Sequence, residues 1–448
     1  MGISGSNLLI VNADIEGRNC AVRIGETIQA VGQLQPLPNE SIYDAQGGRL
    51  LPGLHDHHIH LRAMAARRGS VDLASADIRD LPKLGVKLGG SGWIRAVGYH
   101  ADRHGELNRA VLDELCPSQP VRVQHSSGKM WVVNSPAIEA LEIGSDSHAG
   151  VEVDQGRLTG RLFRMDKWLG ERLRGDTLDL APLLEDLLRL GITSVTDTSF
   201  NNDEEAEQEL KNLKGLNGKP YDVHCMGDES LVCGGQLKIL LDEDQLPDLD
   251  GLHHRVARAH ERDRGVAFHC VSRIEMLVVM ECLQLIGVHP NDRIEHGAMI
   301  GDEMIEDLAN LAVPVVTQPG FLSDRGERFC RELKSSEISD LYRYKSLIDA
   351  GIQVVCSSDA PYGPVDPWQC IHAASYRLSE DARAINSAEC VSAETALEGY
   401  LLQPDLLSKR EIAPGSPANF CLLEAGGSAK GSSVHRVWFA GQPVPVSS

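Results

Sequence analysis

Apolar residues near the start of the chain fall in short runs, Leu8–Val11, Cys20–Ile24 and Ile28–Val31, divided by turns that carry Gly or Asn. Such runs predict short strands. The stretch 434–446 reads the same way, and 417–424 holds one more strand-like run. The two ends therefore predict one small composite β-sandwich, 1–51 plus 408–448. Between them the pattern alternates. Strands are expected at Arg49–His60, Ile192–Asp197, Tyr221–Met226, Gln236–Leu241, Val266–Cys270, Arg293–His296, Val313–Gln318 and Ile352–Ser358. Helical spacing lies between several of them. Ile274, Leu277, Val278, Cys282 and Leu285 share one helical face. Ile305, Leu308, Ala309 and Ala312 share another, with Asp302 as the N-cap.

Eight strands with helical crossovers predict an α/β chain with a parallel (β/α)₈ TIM barrel over 52–407. An open doubly wound sheet is the runner-up, and no GxGxxG or GxxxxGK[ST] follows any strand to support it. About 130 residues separate His60 from the next strand, too many for a structureless loop in a compact domain. Leu107–Leu115 and Ala181–Leu190 look helical, so 62–190 is expected to be an insertion at the barrel mouth.

Composition narrows the function. The 448 residues carry 43 Lys and Arg against 64 Asp and Glu, a net charge of −21. That excess opposes a phosphate backbone or an anionic membrane surface as partner. Eleven cysteines with no CxxC pair predict reduced thiols in the cytoplasm. No apolar run approaches the length of a membrane span. The expected partner is a small-molecule substrate, with no nucleic acid and no membrane, and a homodimer is the assembly considered.

The chemistry concentrates at strand ends. In Leu51-Pro-Gly-Leu-His-Asp-His-His-Ile-His-Leu61, strand alternation points Asp56, His58 and His60 one way and His55 and His57 the other. Two imidazoles about 7 Å apart on one face can grip a single metal ion. His269, His296 and Asp359 end three later strands, and all would converge on the C-terminal mouth of one barrel. Lys238 lies inside an apolar strand. It either snorkels outward, acts as a base of depressed pKa, or reacts with carbon dioxide to become an anionic carbamate ligand.

His-x-His after the first strand, His269, His296 and Ser358-Asp359-Ala360-Pro361 resemble the amidohydrolase superfamily over nearly the whole chain. Asp44-Ala-Gln-Gly-Gly-Arg-Leu-Leu-Pro-Gly resembles its entry into the barrel. Ala393-Glu-Thr-Ala-Leu-Glu-Gly-Tyr and Gly415-Ser-Pro-Ala-Asn resemble its exit. Gln318-Pro319, Val132-Val133-Asn134-Ser135 and Leu237-Lys238-Ile239 are most similar to amidohydrolase family 3, which includes N-substituted formamide deformylases. The resemblance implies that His58 and His60 bind the more buried metal and that His269 and His296 bind a second. It implies that a carboxylated Lys238 bridges them, and that Asp359 touches the first metal and acts as general base. Zinc fits such a set, one or two ions per chain, and Mn²⁺ or Fe²⁺ is also allowed. The implied reaction is hydrolysis of an amide-type C–N bond. The alternatives are a one-metal deaminase of an aminated ring and an inactive metal-binding scaffold.

Three positions depart from the family pattern. Cys270-Val-Ser-Arg replaces a run with an acidic residue, Ser127-Gly128-Lys129 replaces Asp-Gly-His, and Asn419 replaces Asp. The first two fall in loops expected to face substrate. The candidate substrate contacts are His125, Lys129 and Trp131 in the insertion, Gln318, and Arg325, which offers a bidentate fork for a carboxylate.

Overall fold

A computed structural model describes residues 8–73, 75–87, 92–146, 148–173, 179–231, 234–424 and 434–445. Cys233 and the last residue of the strand-like tract 434–446 lie outside these. The chain forms a mixed α/β fold and divides into two compact units, Met1–Leu61 with Ala181–Ser448, and Arg62–Leu180.

In the first unit the two ends of the chain build a pair of four-stranded sheets. One orders Ile28–Gly32, Arg18–Ile24, Leu8–Ile15 and Ser41–Asp44. The other orders Gln442–Pro443, Val434–Phe439, Phe420–Leu423 and Leu50–Pro52. Alternation puts Ile10, Val22 and Ile24 of the first sheet in one buried cluster with Leu50, Phe420 and Trp438 of the second.

Eight parallel strands make up the rest of the sheet structure in this unit. β1 (Leu54–Ile59), β2 (Ile192–Asp197) and β3 (Asp222–Cys225) form one sheet with β2 central. β4 (Leu237–Leu240), β5 (Val266–Cys270), β6 (Arg293–His296), β7 (Val315–Thr317) and β8 (Val354–Cys356) form a second, in that order. Single parallel bridges join Gly227 to Leu237 and Ile59 to Ala360. Most residues of these strands are buried, polar ones included, while Asp222 and Leu240 are exposed. Helices α1 (Leu249–His260), α2 (Arg273–Ile286) and α3 (Asp302–Leu311) connect β4 to β7.

Three local expectations change. The single strand Arg49–His60 is two strands that meet at Gly53. Leu50–Pro52 pairs with Phe420–Leu423 in a terminal sheet, and Leu54–Ile59 pairs with β2. A Cβ at Gly53 would lie 2.2 Å from Thr193 Oγ1, so only glycine allows the chain to pass β2 this closely. In α2 the buried face is Met276, Val279, Met280, Cys282 and Leu283, while Ile274, Leu277 and Leu285 are 50%, 52% and 64% exposed. The helix is apolar on both sides, so spacing alone could not choose the face that meets the strands. In α3 the N-cap is Gly301, without a side-chain hydrogen bond, and Asp302 sits in the first turn. There its carboxylate meets the helix dipole favourably. Leu308 is buried as expected, with Ile305 and Ala309 packed against the same cluster.

The second unit has its own six-stranded sheet and two apolar clusters, one around Leu112, Val121 and Val123 and one around Val133, Leu162 and Leu169. The expected helix at Leu107–Leu115 starts at Arg109, with Asn108 capping Val111 N. The helix Ala181–Arg189 counts with the first unit. Among the described residues no helix is long and apolar enough to cross a membrane.

Candidate metal centre

His58 lies on β1, and alternation sends it to the face opposite His55 and His57. Those two are buried with ring centroids 4.5 Å apart. His55 bonds Ser194 and Thr196 of β2, and His57 bonds the Gly399 carbonyl. His58 and His60 instead face Asp359, with their Nε2 atoms 3.4 and 3.2 Å from its Oδ1. His296 brings Nδ1 to 3.9 Å from Asp359 Oδ2 and its ring centroid to 4.8 Å from that of His58. His269, from β5, places Nδ1 2.8 Å from His296 Nε2.

Backbone conformation turns two of these side chains. His296 and Asp359 end their stretches with φ of 69° and 53°. Left-handed φ is costly for residues with a Cβ and persists where surrounding contacts hold it. At both positions it ends strand alternation just where a donor is placed in the cluster.

The hydrogen-bond partners set the imidazole tautomers. Glu295 Oε2 lies 2.5 Å from His58 Nδ1. An ionised carboxylate only accepts, so Nδ1 carries the proton and Nε2 is bare toward Asp359. Gln318 donates its amide to the Val316 carbonyl and Ser357 Oγ, which leaves its Oε1 to accept from His296 Nδ1 at 2.8 Å. His60 Nδ1 lies 3.1 Å from Ser199 Oγ. Asp197 braces that loop by accepting from Leu61 N, Ser199 N and Asn202 Nδ2.

Electrostatics follow from burial. Burial lowers His58 to about 3 and also pulls His269 and His296 down, so all three imidazoles are neutral at pH 7, as metal ligands must be. Burial works to raise the Asp359 carboxyl, but positive charge on His58, a hydrogen bond from His60 and positive charge on His296 would each favour its ionised form and hold it below its usual range. Lys238 is 4% exposed, and burial lowers its amine to about 8. Its Nζ has no hydrogen-bond partner among the described residues, and neither does Asp359 Oδ1.

These donors fit a divalent ion. His58, His296 and Asp359 each offer a ligand atom, all within 4.8 Å of one another. A buried carboxylate with imidazole nitrogens of His58 and His60 beside it suits a cation. His60 adjoins the trio through Asp359, His269 adjoins it through His296, and the amine of Lys238 feels Glu295 and Asp359.

The expected substrate contacts have partners of their own within the protein. Gln318 is fully buried and its amide is spent on His296, Val316 and Ser357. Arg325 donates to the Tyr362 carbonyl at 2.9 Å and sits 4.1 Å over the Phe321 ring. Tyr362 in turn has its ring centroid 5.5 Å from that of His60. His125, Lys129 and Trp131 belong to the second unit. There Trp131 is buried and donates to Asp166, and His125 bonds Ser127. Two of the departures from the family pattern have structural uses. Ser272 caps α2 in a capping box with Glu275, and Arg273 pairs with Asp340 and Glu303. Asn419 accepts from Ala440 N at 2.7 Å. Glu295 was not singled out from the sequence. Its signal was Arg293-Ile-Glu295, opposite charges two residues apart on one face of a fully buried strand.

The sequence model described as the amidohydrolase family matches residues 41–445. An N-substituted formamide deformylase of Arthrobacter pascens is 23% identical over 94% of this chain and 89% of its own. A putative amidohydrolase of Bacillus subtilis is 23% identical over 86% of each. A crystal structure of an uncharacterized metal-dependent hydrolase from Pyrococcus horikoshii superposes with a TM-score of 0.75 at 20% identity, over 95% of this chain and 98% of the other. The chain belongs to the amidohydrolase family and is a metal-dependent hydrolase acting on carbon–nitrogen bonds other than peptide bonds.

Proposed function

We propose that the chain hydrolyses an amide-type C–N bond, in an amide, an N-substituted formamide or a cyclic amide. The site would be a zinc centre held by His58, His60, His269, His296, Asp359 and Lys238. One observation carries the reading: His58, His296 and Asp359 each offer a buried ligand atom within 4.8 Å of one another, and His60 and His269 adjoin them. The name of the Arthrobacter relative favours the formamide class.

A bound divalent ion supplies Lewis acidity, polarising the carbonyl and lowering the pKa of water toward about 7. The residues do the rest. His58 presents a bare Nε2 because Glu295 accepts from its Nδ1, and Ser199 holds the His60 ring through its Nδ1. Asp359, kept ionised, accepts the proton of the attacking water and returns it to the leaving nitrogen. Burial raises the neutral fraction of Lys238. The neutral amine could add to carbon dioxide, forming an N–C bond and releasing one proton to water, and the resulting carbamate would offer Lys238 as an anionic oxygen ligand. Gln318 holds His296, and Arg325, which donates to the Tyr362 carbonyl, is a candidate for a substrate group.

We read the eight parallel strands as a closed (β/α)₈ barrel, which the bridges Gly227–Leu237 and Ile59–Ala360 support. We read the terminal sheets as a β-sandwich, which their shared apolar cluster supports. The free thiols among the described residues fit a reducing cytoplasm. The test is turnover of protein purified without chelator on amides, N-substituted formamides, lactams and aminopurines. Metal-dependent release of amine from the formamides or amides is expected. Turnover that survives complete metal removal would refute the reading.

A further inference from the structure

We propose that Glu295, charge-paired with Arg293, is the positioning residue of the metal centre: it fixes His58 as the Nδ1–H tautomer and strengthens Nε2 as a donor. The inference rests on His58 being a metal ligand. Arg293 and Glu295 lie two apart on β6, so they share a face, while Ile294 between them joins the apolar cluster on the other side. Both charges are fully buried. Arg293 Nε stands 2.6 Å from Glu295 Oε1, and an Arg293 Nη atom donates to the His57 carbonyl at 2.7 Å. The guanidinium thus ties the carboxylate to the backbone of β1, one residue before His58. The other carboxylate oxygen takes the His58 proton.

The two central imidazoles are held by different devices. His296 bonds a neutral amide, Gln318, and His58 bonds a carboxylate. A carboxylate raises the basicity of the distal nitrogen more than an amide does, and loss of such a partner typically lowers metal affinity about 10–100-fold. A buried ion pair is a weak source of stability compared with apolar residues of the same volume. Its place behind a ligand histidine gives this one a functional reason.

The test is zinc affinity, measured by chelator competition on the full chain, for wild type, Glu295→Gln, the charge-free double variant Arg293→Met/Glu295→Gln, and His58→Ala. Circular dichroism checks folding. Glu295→Gln keeps an acceptor oxygen but loses the charge, so zinc affinity is expected to fall about 10–100-fold. The double variant leaves no lone buried charge, so it stays folded and shows a similar fall. A purely structural pair would lower thermal stability and leave zinc affinity of the folded variants at the wild-type value, and that result overturns the proposal. If His58→Ala also kept full zinc affinity, the metal-centre reading itself would fail. If only His58→Ala lost zinc, the positioning role alone would fail.

Discussion

Asp359 has two tasks at one carboxylate, facing a metal ion and taking a proton. Asp359→Asn keeps the shape and one oxygen but removes the proton acceptor. The expected protein is folded, retains most of its metal and loses turnover by at least about 10²-fold. His58→Ala should differ by losing metal as well. Elemental analysis beside steady-state rates separates the two, and near-normal turnover by Asp359→Asn would remove it as the base. At this scale the sequence singled out His58, His296 and Asp359, which the fold brings together, from polar residues in or just after strands. It was silent on Glu295 and on the hydrogen bonds of Gln318. Their partners come from strands distant in the chain, and a hydrogen bond of 2.5 or 2.8 Å leaves no mark on spacing.

The bounds of several parallel strands were legible, and β2, β5 and β6 begin and end as expected. Gly53 shows the limit: an unbroken apolar run serves two sheets, and only the approach of Thr193 divides it. Helix α2 shows another, since two apolar stripes compete for one core. Leu283→Ala is therefore expected to cost about 2–5 kcal/mol in chemical denaturation, and Leu277→Ala on the exposed stripe about 0.5 kcal/mol or less. Equal costs would contradict the assigned face. The outward histidine of β1 gives a pH signature. Burial, then His57, pushes His55 well below the usual imidazole range. Below about pH 6.5 the unfolded chain therefore binds a proton that the folded chain refuses. Stability is unaffected by this group above that pH and declines as pH falls. His55→Gln should flatten the decline between about pH 6.5 and 4.5 in metal-free protein, whatever its stability at pH 8. An unchanged slope would mean that His55 is protonated in the fold.

Across the whole molecule, the order of strands and the family were readable because one set of strand-end residues recurs at βα spacing. The substrate was not, because Ser272, Arg273 and Asn419, where the chain departs from its relatives, serve caps, ion pairs and loop bonds. A net charge of −21 sets the partner class but names no substrate. The central claim is that four histidines, Asp359 and Lys238 surround metal. Its most direct test is anomalous diffraction at the zinc edge from crystals grown without chelator. The expected result is a peak among His58, His60 and Asp359, with a second beside His269 and His296, bridged by density extending from Lys238 Nζ. Active enzyme whose crystals show no anomalous peak at these residues, or show it elsewhere, would contradict the account.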